Sequence, residues 1–372
     1  MHDPNMTSSF KNNILYGQVV VGPPGAGKTT YCNGMQQYLR LLQRNAWVMN
    51  MDPANDPGDL YETIFDVRND MVDLSVVMDE TELGPNGGLM YCMEYMEQHV
   101  MDIVKCVRNR QQQQQESDSS SSKTKNDPLY LLLDFPGQVE LYTHSMFVQN
   151  LLSQLQKQLN LRLTLVQLID SQYCYQASSF LSAALLGTTT LLRMELPTVS
   201  VWTKMDLLRG NDLPMPWEFF TECFDLERLI PFLDQTNMNS HANKDNDEED
   251  YKNIEDDERY NAVWEDPDYQ AARQRRKQSK LNRKYTKLHE VMAEVVEDFG
   301  LLNFIPLDIQ DATLVGQVLA KVDQCNGYVY TQQSIPEDMF QCAAASSDYT
   351  GESQLQIRER IHSSPPSLKQ QP

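Results

Sequence analysis

The sequence predicts an α/β fold: a mainly parallel, doubly wound sheet with helices on both faces. Three observations predict it. Short apolar, β-branched runs alternate with helix-length patterns along most of the 372 residues. Those runs are apolar on successive residues, as strands covered on both faces must be. A glycine-rich turn, Gly22-Pro23-Pro24-Gly25-Ala26-Gly27, follows the first run, where sheets of this kind hold ligands beyond their carboxyl ends.

The elements follow in chain order. Strands are expected at Gln18–Val21, Ala46–Met51, Leu129–Leu133, Leu163–Ile169, Thr198–Trp202 and Asn303–Leu307. Helices are expected at Lys28–Arg44, Leu89–Arg108, Val139–Leu159, Ser178–Glu195 and Leu281–Phe299. The second helix repeats apolar residues at Leu89, Met93, Met96, Val100, Ile103, Val104 and Val107, which places its methionines in packing rather than in a cofactor box. One domain is expected over residues 1–330, interrupted by a low-complexity loop at 109–127 and a charged insertion at 234–280. A flexible tail is expected at 331–372. The Gln and Ser runs from Gln111 to Ser122 lack the apolar residues of a core and are expected to be disordered.

Composition narrows the function. A 41% hydrophobic share suffices for a sizeable core, and the formal net charge of −21 argues against nucleic-acid binding. Residues 241–270 carry 12 acidic and 3 basic side chains, while 271–287 carry 8 basic and none acidic. Such opposed blocks form either a solvated segment or a docking segment for a charged protein partner. The seven cysteines form no C-x-x-C pair, and the six histidines form no H-E-x-x-H. They predict reduced thiols in a cytoplasmic or nuclear protein and no zinc site. No run approaches the length of a membrane span, and no membrane partner is expected.

The chemistry begins at the glycine-rich turn. Gly22 to Thr29 fits G-x-x-x-x-G-K-[ST], the pattern of P-loop nucleotide triphosphatases. Gly22, Gly25, Ala26 and Gly27 let backbone N–H groups converge on phosphate oxygens. Lys28 reaches the β- and γ-phosphates, Thr29 offers its hydroxyl to Mg²⁺, and Thr30 follows in the same turn. Asp134-Phe135-Pro136-Gly137-Gln138 closes the third apolar run. Its order is that of a GTPase switch, with Asp134 at the Mg²⁺ shell, the Gly137 N–H on the γ-phosphate and Gln138 orienting a water. Thr203-Lys204-Met205-Asp206 closes the fifth run. The Asp206 carboxylate would accept two hydrogen bonds from guanine N1–H and N2 and repel adenine, and the Lys204 stem would lie along the base. Asp52, in Asp52-Pro53-Ala54-Asn55-Asp56, is either a carboxylate serving the Mg²⁺ shell and the attacking water or part of an ordinary Asp-Pro turn. Leu83-Gly84-Pro85-Asn86-Gly87-Gly88 reads by itself as a rigid turn that starts a helix.

With Gly84-Pro85-Asn86 lying between the phosphate loop and the Asp134 motif, the chain resembles the GPN-loop GTPases from about Tyr16 to Tyr328. Gly22–Cys32, Asp52–Asn55, Gly84–Glu97, Asp134–Glu140, Thr203–Leu207 and Phe304–Asp311 carry the likeness, which is greatest to the second of three eukaryotic paralogues. The resemblance implies a GTP/GDP and Mg²⁺ switch that works as a dimer with itself or a paralogue. It implies that Asn86 enters the partner's site and that Asp52 touches the Mg²⁺ shell and the nucleophilic water. Ile305–Asp308, with Pro306 and Leu307, would pack on the guanine ring. Clients in RNA polymerase assembly and shuttling to the nucleus are implied in the same way. Two other classes stay open: a GTP-binding scaffold with negligible turnover, and an ATP-dependent kinase or maturation factor on the same fold.

Overall fold

The computed structural model describes residues 14–117, 128–208, 213, 215–232, 280–300 and 302–331. The acidic–basic insertion expected from residue 234 up to Lys280, the tail beyond residue 331 and residues 118–127 lie outside them. Seven strands form one parallel sheet: β1 (Leu15–Val21), β2 (Ala46–Asn50), β3 (Thr63–Asp66), β4 (Tyr130–Asp134), β5 (Leu161–Asp170), β6 (Thr198–Thr203) and β7 (Phe304–Pro306). Their order is β3-β2-β4-β1-β5-β6-β7. This is the α/β architecture that the alternating pattern predicts.

The topology fixes where a ligand goes. From β1 the chain crosses to β2 on one side, returns to β4 beside β1, and then crosses to β5 on β1's other side. Adjacent connections therefore diverge at the carboxyl ends of β1 and β4, which opens a crevice there. Every residue of β1 and β4 is buried. On one face, Val19, Val21, Leu131, Leu133, Leu163 and Leu165 join one apolar core with Met93, Ile103, Val104 and Leu155. These last residues come from α4 (Pro85–Gln98), α5 (Val100–Ser117) and α7 (Phe147–Leu159). Against the other face pack α1 (Lys28–Leu41) and α11 (Ala312–Asn326).

Several elements differ from expectation, for identifiable reasons. The helix expected over Leu89–Arg108 is two helices that meet at His99. Met96, Val100 and Ile103 stay buried across the break, so the periodicity reads as continuous. The glutamine run, expected to be disordered, is helical as far as Ser117, because glutamine is a good helix former and α5 continues into it. Val139–Leu159 divides into α6 (Glu140–Thr143) and α7. β3 and the short helices α2 (Val67–Asp70) and α3 (Leu74–Thr81) have no counterpart among the expected elements.

Two compact units share the chain. The first takes residues 1–171, 189–210 and 303–372 and holds the sheet. The second takes residues 172–188 and 211–302 and holds most of α8 (Ala177–Met194), α9 (Trp217–Glu222) and α10 (Lys280–Phe299). Within this second unit, Phe180 packs edge-on to Phe220 at 5.0 Å between ring centroids, and the Glu297 carboxylate accepts from the Leu226 N–H. Among the described residues no helix is long and apolar enough to cross a membrane.

Candidate functional site

Four segments of the first unit meet at the carboxyl edge of the sheet. The first is the turn between β1 and α1. Gly27 caps α1 with a left-handed φ of 90°, leaving no side chain to occupy the first backbone N–H groups of the helix. The first turn also lacks acidic residues, so Lys28, Thr29 and exposed Thr30 present an open, positively polarised end suited to an anion. Gly25 has φ 79°, and a Cβ on Gly22 would stand 2.3 Å from the Leu168 carbonyl oxygen. Ala26 is buried beneath the loop. The Lys28 ammonium folds back to donate to the carbonyls of Gly22 at 3.2 Å and Pro23 at 3.3 Å. Burial lowers its pKa, opposed by the nearby Asp134 and Asp52 carboxylates.

The second segment is the end of β4. Asp134 is 1% exposed, and burial raises its pKa to about 6, against the hydrogen bonds from Thr29 and Tyr61 that favour the anion. Tyr61 donates to Asp134 Oδ2 at 3.0 Å. Beyond it, Gly137 lies so close to the phosphate loop that a Cβ would meet Lys28 Nζ at 2.8 Å and Pro24 Cα at 3.1 Å. The Gln138 side chain has a buried Oε1 without a hydrogen-bond partner among the described residues, an acceptor still available to a water. The Tyr142 hydroxyl donates to the Pro136 carbonyl and pins this loop.

The third segment follows β2. Asp52 Oδ1 accepts from the Ala54 N–H at 2.9 Å, so the turn reading of Asp52-Pro53 is correct. The same carboxylate is close enough to Lys28 and Asp134 to interact with both, and burial raises its pKa. The turn thus holds this carboxylate within electrostatic reach of Lys28 and Asp134. Asn55 Nδ2 lies 3.4 Å from Thr29 Oγ1 and 3.5 Å from Asp134 Oδ2.

The fourth segment joins β6 to β7. Thr203 Oγ1 donates to the Ala26 carbonyl at 2.9 Å, tying the base-side loop to the phosphate loop. Lys204 has a left-handed φ of 59°, and its ammonium binds Asp170 Oδ2 at 2.7 Å, which fixes the stem. Ser171 Oγ donates to the Lys204 carbonyl. Asp206 is exposed in the short turn Met205–Leu208. Pro306 ends β7 against Trp202, and Leu307 exchanges backbone hydrogen bonds with Trp202 and Met205.

Asn86 stands apart from these four. Gly84 caps α4, Pro85 takes its first position, and Asn86 is exposed in that first turn. This helix packs on α3, α5 and α7. The structure therefore brings together Gly22–Thr29, Asp52, Asp134, Gly137 and Gln138, and joins Thr203–Asp206 to Pro306–Leu307. Sequence reasoning gave no role to Asn55, Tyr61, Tyr142 or Asp170. Asp170 ends β5, while Asn55 and Tyr61 lie in the β2–β3 connection and Tyr142 on α6, and no motif marks any of them.

The oxygen set of Thr29, Asp134 and Asp52 suits a hard cation such as Mg²⁺. Among the described residues no three His, Cys, Asp or Glu side chains gather to hold a metal, so such an ion would take much of its shell from phosphate oxygens and water.

Comparison with known proteins places the chain in a family. A family model described as "Conserved hypothetical ATP binding protein" matches residues 20–328. The chain is 36% identical over 319 residues to the GPN-loop GTPase 2 homolog of Dictyostelium discoideum, covering 85% of this chain and 81% of that one. It is 38% identical over 322 residues to GPN-loop GTPase QQT1 of Arabidopsis thaliana, covering 85% and 87%. It is 36% identical over 359 residues to GPN-loop GTPase 2 of Danio rerio, covering 95% of each.

Proposed function

The chain belongs to the GPN-loop GTPases, a family that binds and hydrolyses GTP, and from that premise we propose that it is a Mg²⁺-dependent, dimeric switch that loads or releases a protein client. The packing of Gly137 against Lys28 and Pro24 carries the reading, because it sets a switch-type segment directly on the phosphate loop. Phosphoryl transfer to water asks the protein mainly for positioning and charge stabilisation. The uncapped start of α1 and Lys28 neutralise charge on the β- and γ-oxygens. Thr29 and Asp134 would hold Mg²⁺, which when bound draws charge from the same oxygens. Asp52 and the Gln138 acceptor position the attacking water, assisted by Asn86 of the partner subunit. Exposure of Asn86 on a helix end supports that last assignment. Resemblance to the family supports clients in RNA polymerase assembly and residence in cytoplasm and nucleus.

Single-turnover GTP hydrolysis tests the reading. Phosphate release no faster than the spontaneous rate, with the partner present, would instead favour a scaffold. Solution mass with GDP, GTP and a transition-state mimic tests dimerisation, and a monomer in all three would overturn the self-completed site. One observation favours a second reading, the ATP in the family model's description. Asp206→Asn separates the two. It should erase a preference for GTP over ATP, and an unchanged preference would sink the guanine assignment.

A further inference from the structure

Asp134 is the carboxylate on which the cation site depends, and the donors around it are neutral. Tyr61 gives Oδ2 a hydrogen bond at 3.0 Å, and Asn55 Nδ2 lies 3.5 Å from the same oxygen and 3.4 Å from the Tyr61 hydroxyl. Asn55 is anchored in turn: its carbonyl accepts from Asn50 Nδ2 at 3.0 Å, and its N–H donates to the Asp52 carbonyl at 3.1 Å. Tyr61 is 6% exposed, which leaves its ring no other place to turn. Thr29 also donates to Asp134, and with one O–H and two lone pairs its hydroxyl can keep that bond while ligating a cation, so Tyr61 is the donor to this carboxylate that takes no part in ligation.

We propose that Tyr61, assisted by Asn55, is the positioning residue for Mg²⁺: it clamps one oxygen of Asp134 and so presents the other to the cation shell. This rests on the Mg²⁺-GTPase reading above. A phenol suits the task because it orients the carboxylate without placing a positive charge beside a divalent cation, as an arginine or lysine would. The clamp also adds a side-chain tie between the segment after β2 and the end of β4.

The test uses the full chain loaded with fluorescent N-methylanthraniloyl-GDP, with free Mg²⁺ set by a chelator buffer while nucleotide release is followed. Tyr61→Phe removes only the hydroxyl. A hydrogen bond to a charged group is worth enough to raise the Mg²⁺ midpoint about tenfold. The metal-free affinity for the nucleotide should stay within about twofold, since the Tyr61 hydroxyl donates to Asp134. Asn55→Ala, which keeps the same backbone contacts, should shift the midpoint in the same direction by about threefold, its contacts being longer. An unchanged Mg²⁺ midpoint in both variants overturns the clamp. An equal loss of affinity with and without Mg²⁺ also overturns it, because that is the mark of a merely structural residue. A parent protein with no Mg²⁺ dependence would overturn the Mg²⁺-GTPase reading as well, which sets that failure apart from failure of the clamp alone.

Discussion

Arg44 and Asp323 form an ion pair at 2.7 Å with side-chain exposures of 3% and 0%, behind the sheet and away from the phosphate loop. Arg44 lies 4.1 Å over the Tyr328 ring, and Tyr130 donates to Asp323 Oδ1 at 3.4 Å. Burial holds the Asp323 pKa above the usual carboxylate range even with Arg44 pulling it down. Arg44→Met keeps the apolar stem and removes the countercharge. Breaking a buried pair costs about 3–5 kcal/mol, because the remaining charge is uncompensated. Asp323 escapes that cost by taking a proton, so the loss must depend on pH. A carboxyl whose folded pKa lies above its unfolded value of about 3.9 costs nothing below that value. The cost then grows by about 1.4 kcal/mol for each pH unit until the folded pKa is passed. Because the parent's own Asp323 pKa is already raised, the deficit against the parent should be below about 1.5 kcal/mol at pH 5 and about 3–5 kcal/mol at pH 8. Urea unfolding of nucleotide-free protein at both values measures it. The double variant with Asp323→Asn should regain most of the loss at pH 8. A deficit equal at both pH values would refute the reasoning, since lost packing alone is indifferent to pH.

Four further outcomes follow. A Cβ on Gly34 would meet Ile309 Cγ1 and Cδ1 at 2.6 and 2.7 Å, so Gly34→Ala should push the 307–310 loop off α1 and weaken GDP binding by several-fold, with Ile309→Ala restoring it in a binding titration. Asp134 carries a pKa of about 6, and only its anion serves a cation, so Mg²⁺-dependent GDP retention should fall as pH drops from 7 to 5, and calorimetry at pH 6 should detect proton release on Mg²⁺ binding. The same raised pKa gives the metal-free protein a contribution to stability that is present below pH 4 and lost as pH rises through 6. Asp170→Asn removes the countercharge that fixes Lys204 at 2.7 Å and should weaken GDP binding about tenfold while leaving inorganic phosphate binding unchanged.

The fold was legible where burial on both faces forced continuous apolar runs, as in Tyr130–Asp134 and Leu161–Asp170. It was illegible where an element is short and one-sided. β3 has four residues and pairs only with β2, across a register shift between Val48 and Met49, and so leaves no pattern long enough to read. α11 was not among the expected helices, although Asp311 caps its start and Gly327 its end, with Leu314, Val315, Val318 and Leu319 buried between. The phosphate loop and the Asp134 and Asp206 segments stand out in the sequence because the chemistry they are expected to serve demands fixed residues at fixed spacing. Tyr61 and Asp170 were not, because a side chain that orients another needs only to arrive at the right point in space. Any strand end can supply it.

That difference bears on how the site works as one body. The base-side and phosphate-side loops come from distant parts of the chain, yet each is fastened to the turn between β1 and α1 or to α1 itself. Thr203 bonds the Ala26 carbonyl, Ile309 rests on Gly34, and Gly137 lies against Lys28. The same helix carries Tyr31, whose hydroxyl donates to Gln18 at 2.7 Å; Gln18 in turn donates to Tyr130, which meets Asp323 on α11. A displacement of α1 would therefore disturb base, phosphate and cation contacts together. Sequence motifs mark the groups proposed to touch the nucleotide. The hydrogen bonds that tie those groups to α1 decide whether a change at the γ-phosphate stays local or moves the whole edge of the sheet.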